Sequence, residues 1–163
     1  MISLTGRGVA SASTHIFISK LPSLMRHETF HLHLYGPDAQ ANDASWLETK
    51  PILTSFESAA QRLANFLPTV LVEPDGSFAW AGKNHQVVGM IYDASETIQY
   101  VEIRGHCDQN QMRRLVETLS GTTEIDDFAV MMLPERQWKN FQFFERLLPE
   151  SRPDQTESTG FAG

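Results

Sequence analysis

The chain has 163 residues, 41% of them hydrophobic and 20% charged, with a formal net charge of −7. That is enough chain for one domain with its own core, and it is too apolar for a disordered polymer. The acidic balance argues against a nucleic-acid partner, because a phosphate backbone would be repelled, and no run approaches the roughly 18 apolar residues that a membrane span needs.

Residues 1–26 contain Arg7, Lys20 and Arg26 and no acidic residue. They lack the apolar block of a secretory signal, so a loosely ordered leader is expected, with "HIFIS" as its strand-like piece and Met25 as a candidate start. From Thr29 the elements alternate. Phe30, Leu32 and Leu34 alternate with His31, His33 and Tyr35, which is the period of a strand with one buried face. A short helix is predicted over Ala44–Thr49. A longer one follows, where Thr54 and Glu57 have the spacing of a capping box and Phe56, Ala60, Leu63 and Leu67 recur at helical intervals.

"TVLVE" and "SFAWAG" flank Pro74-Asp75-Gly76, a turn sequence, and so predict a hairpin. "HQVVGMIYD" and "TIQYVEIRG" predict a second one, turning near Ala94-Ser95. Pairing Asp93 with Glu96 there would set Tyr100 across from Gly89. Met112, Leu115, Val116 and Leu119 then form one helical stripe, with Asp108 as N-cap and Gly121 as terminator. "DDFAVMML" reads as a buried strand, and Pro134 is expected to open a last helix running to Leu148. The fold class is α+β, a mainly antiparallel sheet of about five to six strands with a central meander of hairpins, packed against three main helices. The expected organisation is a leader over 1–26, a single globular domain over 27–148 and a disordered tail over 149–163.

Three groups of residues bear on function. His106-Cys107, five residues and Arg113 have a spacing that resembles the signature of the protein tyrosine phosphatases. The resemblance implies a Cys107 thiolate as nucleophile, Arg113 on the phosphate and an upstream acid such as Asp75. Residues 108–112, Asp-Gln-Asn-Gln-Met, contain no glycine to turn successive N–H groups inward. Asp108 would set a negative charge beside the thiolate and is better employed as a helix cap. The favoured reading is a semi-buried structural cysteine and no catalytic residue.

His31 and His33 project from the same side of one strand, as zinc ligands can, with His27 sharing the parity. A third ligand would have to come from His85, His106 or a carboxylate. The competing reading is a wet strand face, and no metal or other cofactor is expected. Glu124, Asp126 and Asp127 read as a solvated junction, and Phe78 and Trp80 as core.

In the last predicted helix, Phe141, Phe144 and Leu148 share a stripe, which leaves Phe143 outside it with Trp138 and Leu147 at the margins. Phe143, Trp138 and Leu147 are therefore the candidate partner surface. A single cysteine fits a reducing compartment. The resulting expectation is a soluble, cytoplasmic, non-catalytic protein-interaction module, binding another protein or itself. The alternatives are a Cys107/Arg113 phosphatase-like hydrolase and a His31/His33 metal-binding domain.

Overall fold

The computed structural model describes residues 29–153. "HIFIS", His27 and the remainder of the leader lie outside the described residues, as does the tail beyond residue 153.

Seven strands form one antiparallel sheet: β1 (Phe30–Pro37), β2 (Leu71–Val72), β3 (Ser77–Ala81), β4 (Gln86–Ala94), β5 (Thr97–His106), β6 (Phe128–Met132) and β7 (Gln137–Asn140). Their order is β2-β3-β4-β5-β1-β6-β7. The first strand thus sits inside the sheet, with the meander β2–β5 on one flank and the β6–β7 hairpin on the other. Helices α1 (Phe56–Phe66), α2 (Gln109–Ser120) and α3 (Phe141–Arg146) pack on one face, so the class is α+β as expected. The sheet is slightly larger than the expected five to six strands.

The seventh strand lies where a helix was expected. Residues 137–140 alternate exposed and buried positions and pair with β6, setting Met131 opposite Trp138. Phe128–Met132, apolar on both faces, gains backbone partners on both sides this way, and only Phe141–Arg146 remains helical. The expected helix over Ala44–Thr49 does not form either. Asp43 has a positive φ of 57°, and the segment is pinned to the sheet by Asp43 N–H donating to the Trp138 carbonyl and Gly36 N–H donating to the Lys50 carbonyl.

The core lies between the sheet and the helices. Leu32, Leu34, Val101, Ile103 and Val130 point down from the strands, meeting Leu63 of α1, Met112, Leu115, Val116 and Leu119 of α2, and Phe141 and Phe144 of α3. Helix α1 starts one residue later than its sequence suggested. The Ser55 hydroxyl accepts from the Ser58 N–H as N-cap, while Thr54 is bonded through its backbone to Ile52 and Ile98 and accepts from Arg62 with its hydroxyl.

Helix α2 follows its sequence signals. Asp108 accepts from the Gln111 N–H at 2.8 Å, the Gln111 side chain accepts from the Asp108 N–H at 2.8 Å, and Gly121 closes the helix at φ 75°. Both ends of α2 are also held from a distance. Arg62 donates to the carbonyls of Thr118 and Leu119, and Pro149 and Ser151 accept from the N–H groups of Gln109 and Asn110. The first residues of the expected tail therefore pack against α2.

The predicted turn at Asp75 forms, with its carboxylate accepting from the Ser77 N–H and hydroxyl. The register beyond it differs from the expected one. Ser95 and Glu96, both at positive φ, make the β4–β5 turn, and a bulge at Tyr92/Asp93 sets Gly89 opposite Ile103 and Tyr100 opposite Tyr92. The space above Gly89 is filled by the Phe78 ring from β3, which a Cβ at this position would strike.

Candidate functional site

All three helices cover the same face, so the other face of the sheet is left to side chains of alternate parity. On β1 these are His31, His33 and Tyr35; on β5, Tyr100, Glu102 and Arg104; on β4, Val88, Met90 and Tyr92. Residues 38–50 lie over one end of this face, where Ala41 joins Ala129 and Trp138 in a buried cluster against which Ala44, Leu47, Tyr35 and Met131 pack. Trp46 projects from that segment and is 76% exposed.

One half of the face is aromatic. Tyr92 and Tyr100 stack with centroids 4.5 Å apart and planes within 19°, Tyr35 lies 5.5 Å from Tyr100, and Trp138 lies 5.6 Å from Tyr35. His33 joins the row at 4.9 Å from Tyr100. Burial pushes the Tyr35 and Tyr100 hydroxyls above their ordinary pKa, and neighbouring groups add to the shift, so both stay neutral phenols at physiological pH. Tyr92 remains 39% exposed at the open end of the row.

The other half is ionic. Glu102 stands across from His33 on the neighbouring strand. Its Oε1 lies 3.0 Å from His31 Nε2 and 2.8 Å from an Arg104 Nη. Burial works to raise the Glu102 pKa, but the hydrogen bond from His31 and the charge of Arg104 outweigh it and hold the carboxyl below its usual range. His33 is lowered, chiefly by burial. Ligand atoms of His31, His33 and Glu102 all lie within 4.8 Å of one another. Beside them an open cavity of about 330 Å³ is lined by Thr29, Gln86, Val88, Arg104, Gly105 and His106.

Sequence reasoning found the two histidines and missed Glu102. Strand parity could have placed Glu102 on the same face as Tyr100, but nothing local says that β1 lies beside β5. His85, one of the third-ligand candidates, is elsewhere. Its ring lies 4.2 Å from that of Trp80, tilted by 50°, and it meets the Gln111 side chain at 3.1 Å. His106 lines the cavity and is not among the three ligand residues.

The phosphatase-like spacing does not build a phosphate site. Cys107 is 4% exposed, and burial, with Asp108 beside it, pushes its thiol up to about 12, so it stays protonated. The N–H groups of residues 109–112 are bonded to Pro149, Ser151 and Asp108 and do not converge on an anion. Arg113 bonds Glu145 at 2.8 Å and Asp126 at 2.7 Å, and lies 5.3 Å from the centre of the Phe141 ring. Its hydrogen bonds to Glu145, with those to Asp126, raise its already high pKa. It ties α2 to α3 and cannot also reach back over the sulfur. Asp75 is held by its turn, and Asp126, part of the expected solvated junction, is the exposed partner of Arg113.

The expected partner surface divides between the two sides of the sheet. Trp138 belongs to β7 and is buried beneath residues 41–47 on the open face, while Phe143 and Leu147 belong to the α3 segment. Phe143 is 46% exposed, with the Arg146 guanidinium 5.4 Å from its ring centre.

Among the described residues, no helix is long and apolar enough to cross a membrane. Comparison with protein-family models, with curated proteins and with solved structures finds no match, and the reading rests on the chemistry of the open face.

Proposed function

We propose that this domain is a non-catalytic interaction module that receives a basic protein segment, bearing arginine or lysine, on the tyrosine row of its open sheet face. The observation that carries the reading is the row itself: Tyr35, Tyr100 and Tyr92 in ring contact on the sheet face opposite helices α1–α3, with Trp46 exposed on the 38–50 segment. Tyrosine and tryptophan supply large contact area at low entropic cost and dominate the energetics of protein interfaces. Ring faces attract cations, and guanidinium groups stack on them. The surroundings have the complementary sign, with Asp93 and Glu96 exposed at the Tyr92 end, Glu48 exposed on the overlying segment and a net charge of −7 on the chain.

Selection from a random peptide library displayed against the purified domain tests this. Enrichment of arginine and lysine is expected, with binding that weakens as salt rises and falls at least about tenfold in a Trp46→Ala, Tyr92→Ala double variant of unchanged melting temperature. Enrichment of acidic peptides, or peptides that bind the double variant as well as the parent, would overturn it. So would a dimer in solution that the same two substitutions dissociate, because the face would then be taken by a second copy.

A further inference from the structure

We propose that His31, His33 and Glu102 form a three-ligand site for a first-row transition-metal dication, zinc being the expected occupant. The inference rests on ligating atoms alone and is independent of what docks on the tyrosines.

A zinc ion bonded at about 2.1 Å to each of three donors in tetrahedral array holds them roughly 3.4 Å apart. His31 Nε2 and Glu102 Oε1 are already 3.0 Å apart, and one ligand atom from each of His31, His33 and Glu102 can be chosen so that all three lie within 4.8 Å of one another. Binding would require the His33 ring to turn toward the other two donors. Among the described residues this is the only group of three histidine, cysteine or carboxylate side chains whose ligand atoms come so close. The donor set, two imidazoles and one carboxylate, suits zinc and its transition-metal neighbours and is poor for calcium or magnesium, which want oxygen.

Its placement is also that of a built site. Adjacent strands fix the three Cβ positions: β1 supplies His31 and His33 at alternate residues, and β5 supplies Glu102 directly opposite His33. The Tyr100 ring packs 4.9 Å from the His33 ring and limits its orientation. Metal on Nε2 of His31 requires that nitrogen deprotonated, with the imidazole proton on Nδ1, and the His31–Glu102 hydrogen bond would give way to two metal bonds. A carboxylate has two oxygens and about four lone-pair sites, so Arg104 can keep its hold on Glu102 from outside the ligand shell. Because the face is open, the fourth position is left to water or to an incoming ligand. Arg104 also competes, since a guanidinium so near the carboxylate occupies part of the charge that the metal would use.

That competition gives the test a sign no structural role would produce. Cobalt(II), whose visible absorption reports its ligand field, would be titrated into tag-free protein and then displaced by zinc. One equivalent should bind, with Glu102→Gln weakening the affinity at least about tenfold, a His31→Asn, His33→Asn double variant abolishing it, and His85→Gln leaving it unchanged. Arg104→Gln should tighten it, which a variant that merely loosened the fold would not do. Absence of binding, equal affinity in Glu102→Gln, which would mark an ordinary exposed histidine pair, or no tightening in Arg104→Gln would each overturn the proposal.

Discussion

Leu32 and His31 are neighbours on one strand, and they belong to different problems. Leu32 is 1% exposed among the side chains that meet the helices, whereas the His31 side chain is 38% exposed on the face opposite helices α1–α3. The strand period of two sends every second residue to each side, so a single β1 contributes to the core and to the candidate site without either constraining the identity of the other. Stability should therefore follow the helix-covered face, and ligand binding the open one.

The sharpest way to break that division is to truncate both neighbours. Leu32→Ala is expected to cost about 2–5 kcal/mol, for lost burial plus the cavity left behind. His31→Ala should cost less than about 1 kcal/mol, since a half-exposed polar contact contributes little. Chemical denaturation of the two variants would measure both. Equal losses would mean that the open face is covered in solution.

Acid offers a second, smaller test. His85 lies on the helix side, its ring tilted against Trp80 and bonded to Gln111, and its Nε2 is buried without a hydrogen-bond partner among the described residues. Burial holds its pKa below the ordinary 6.5, Asp108 pulls the other way and His106 adds to the lowering. The unfolded chain therefore takes up this proton first. The stability that neutral His85 represents is complete above about pH 6.5 and is lost as the pH falls toward the folded-state value. Melting curves should show a decline below that pH that His85→Gln makes shallower. An unchanged slope would shift the acid sensitivity to other groups.

The smallest effect is expected on the outer side of α3. Phe143 is half-exposed with Arg146 beside it, so Phe143→Ser should change stability by no more than about 0.5 kcal/mol. A large loss would show that something covers this ring and would extend the core beyond the described residues.

Legibility in the sequence followed the range of the determining contacts. The Asp108 cap, the buried stripe of α2, the Gly121 terminator and the Asp75 turn are set within a few residues, and each is readable from its own stretch. The alternation of β1 was readable for the same reason. Strand β7 was not, because four residues with one tryptophan look no different from part of a helix until β6 is there to pair with them. The β4–β5 register was missed because the turn closes on Ala94 and Thr97 instead of Asp93 and Glu96, and a bulge then shifts every later partner once more. Of the candidate site, the two histidines are a local signal, whereas Glu102 reaches His31 across 71 residues, through a strand order that no stretch of the sequence contains.

The contact between Tyr100 and His33 has a thermodynamic consequence. Tyr100 touches a proposed metal ligand on one side and stacks on Tyr92 on the other, so the two proposed occupants would share one ring as a border. A dication and a basic segment set side by side repel one another. By linkage, the factor by which zinc loosens the peptide must equal the factor by which the peptide loosens zinc. Negative cooperativity of this kind would make occupancy of the tyrosine row respond to free zinc with no change in the fold.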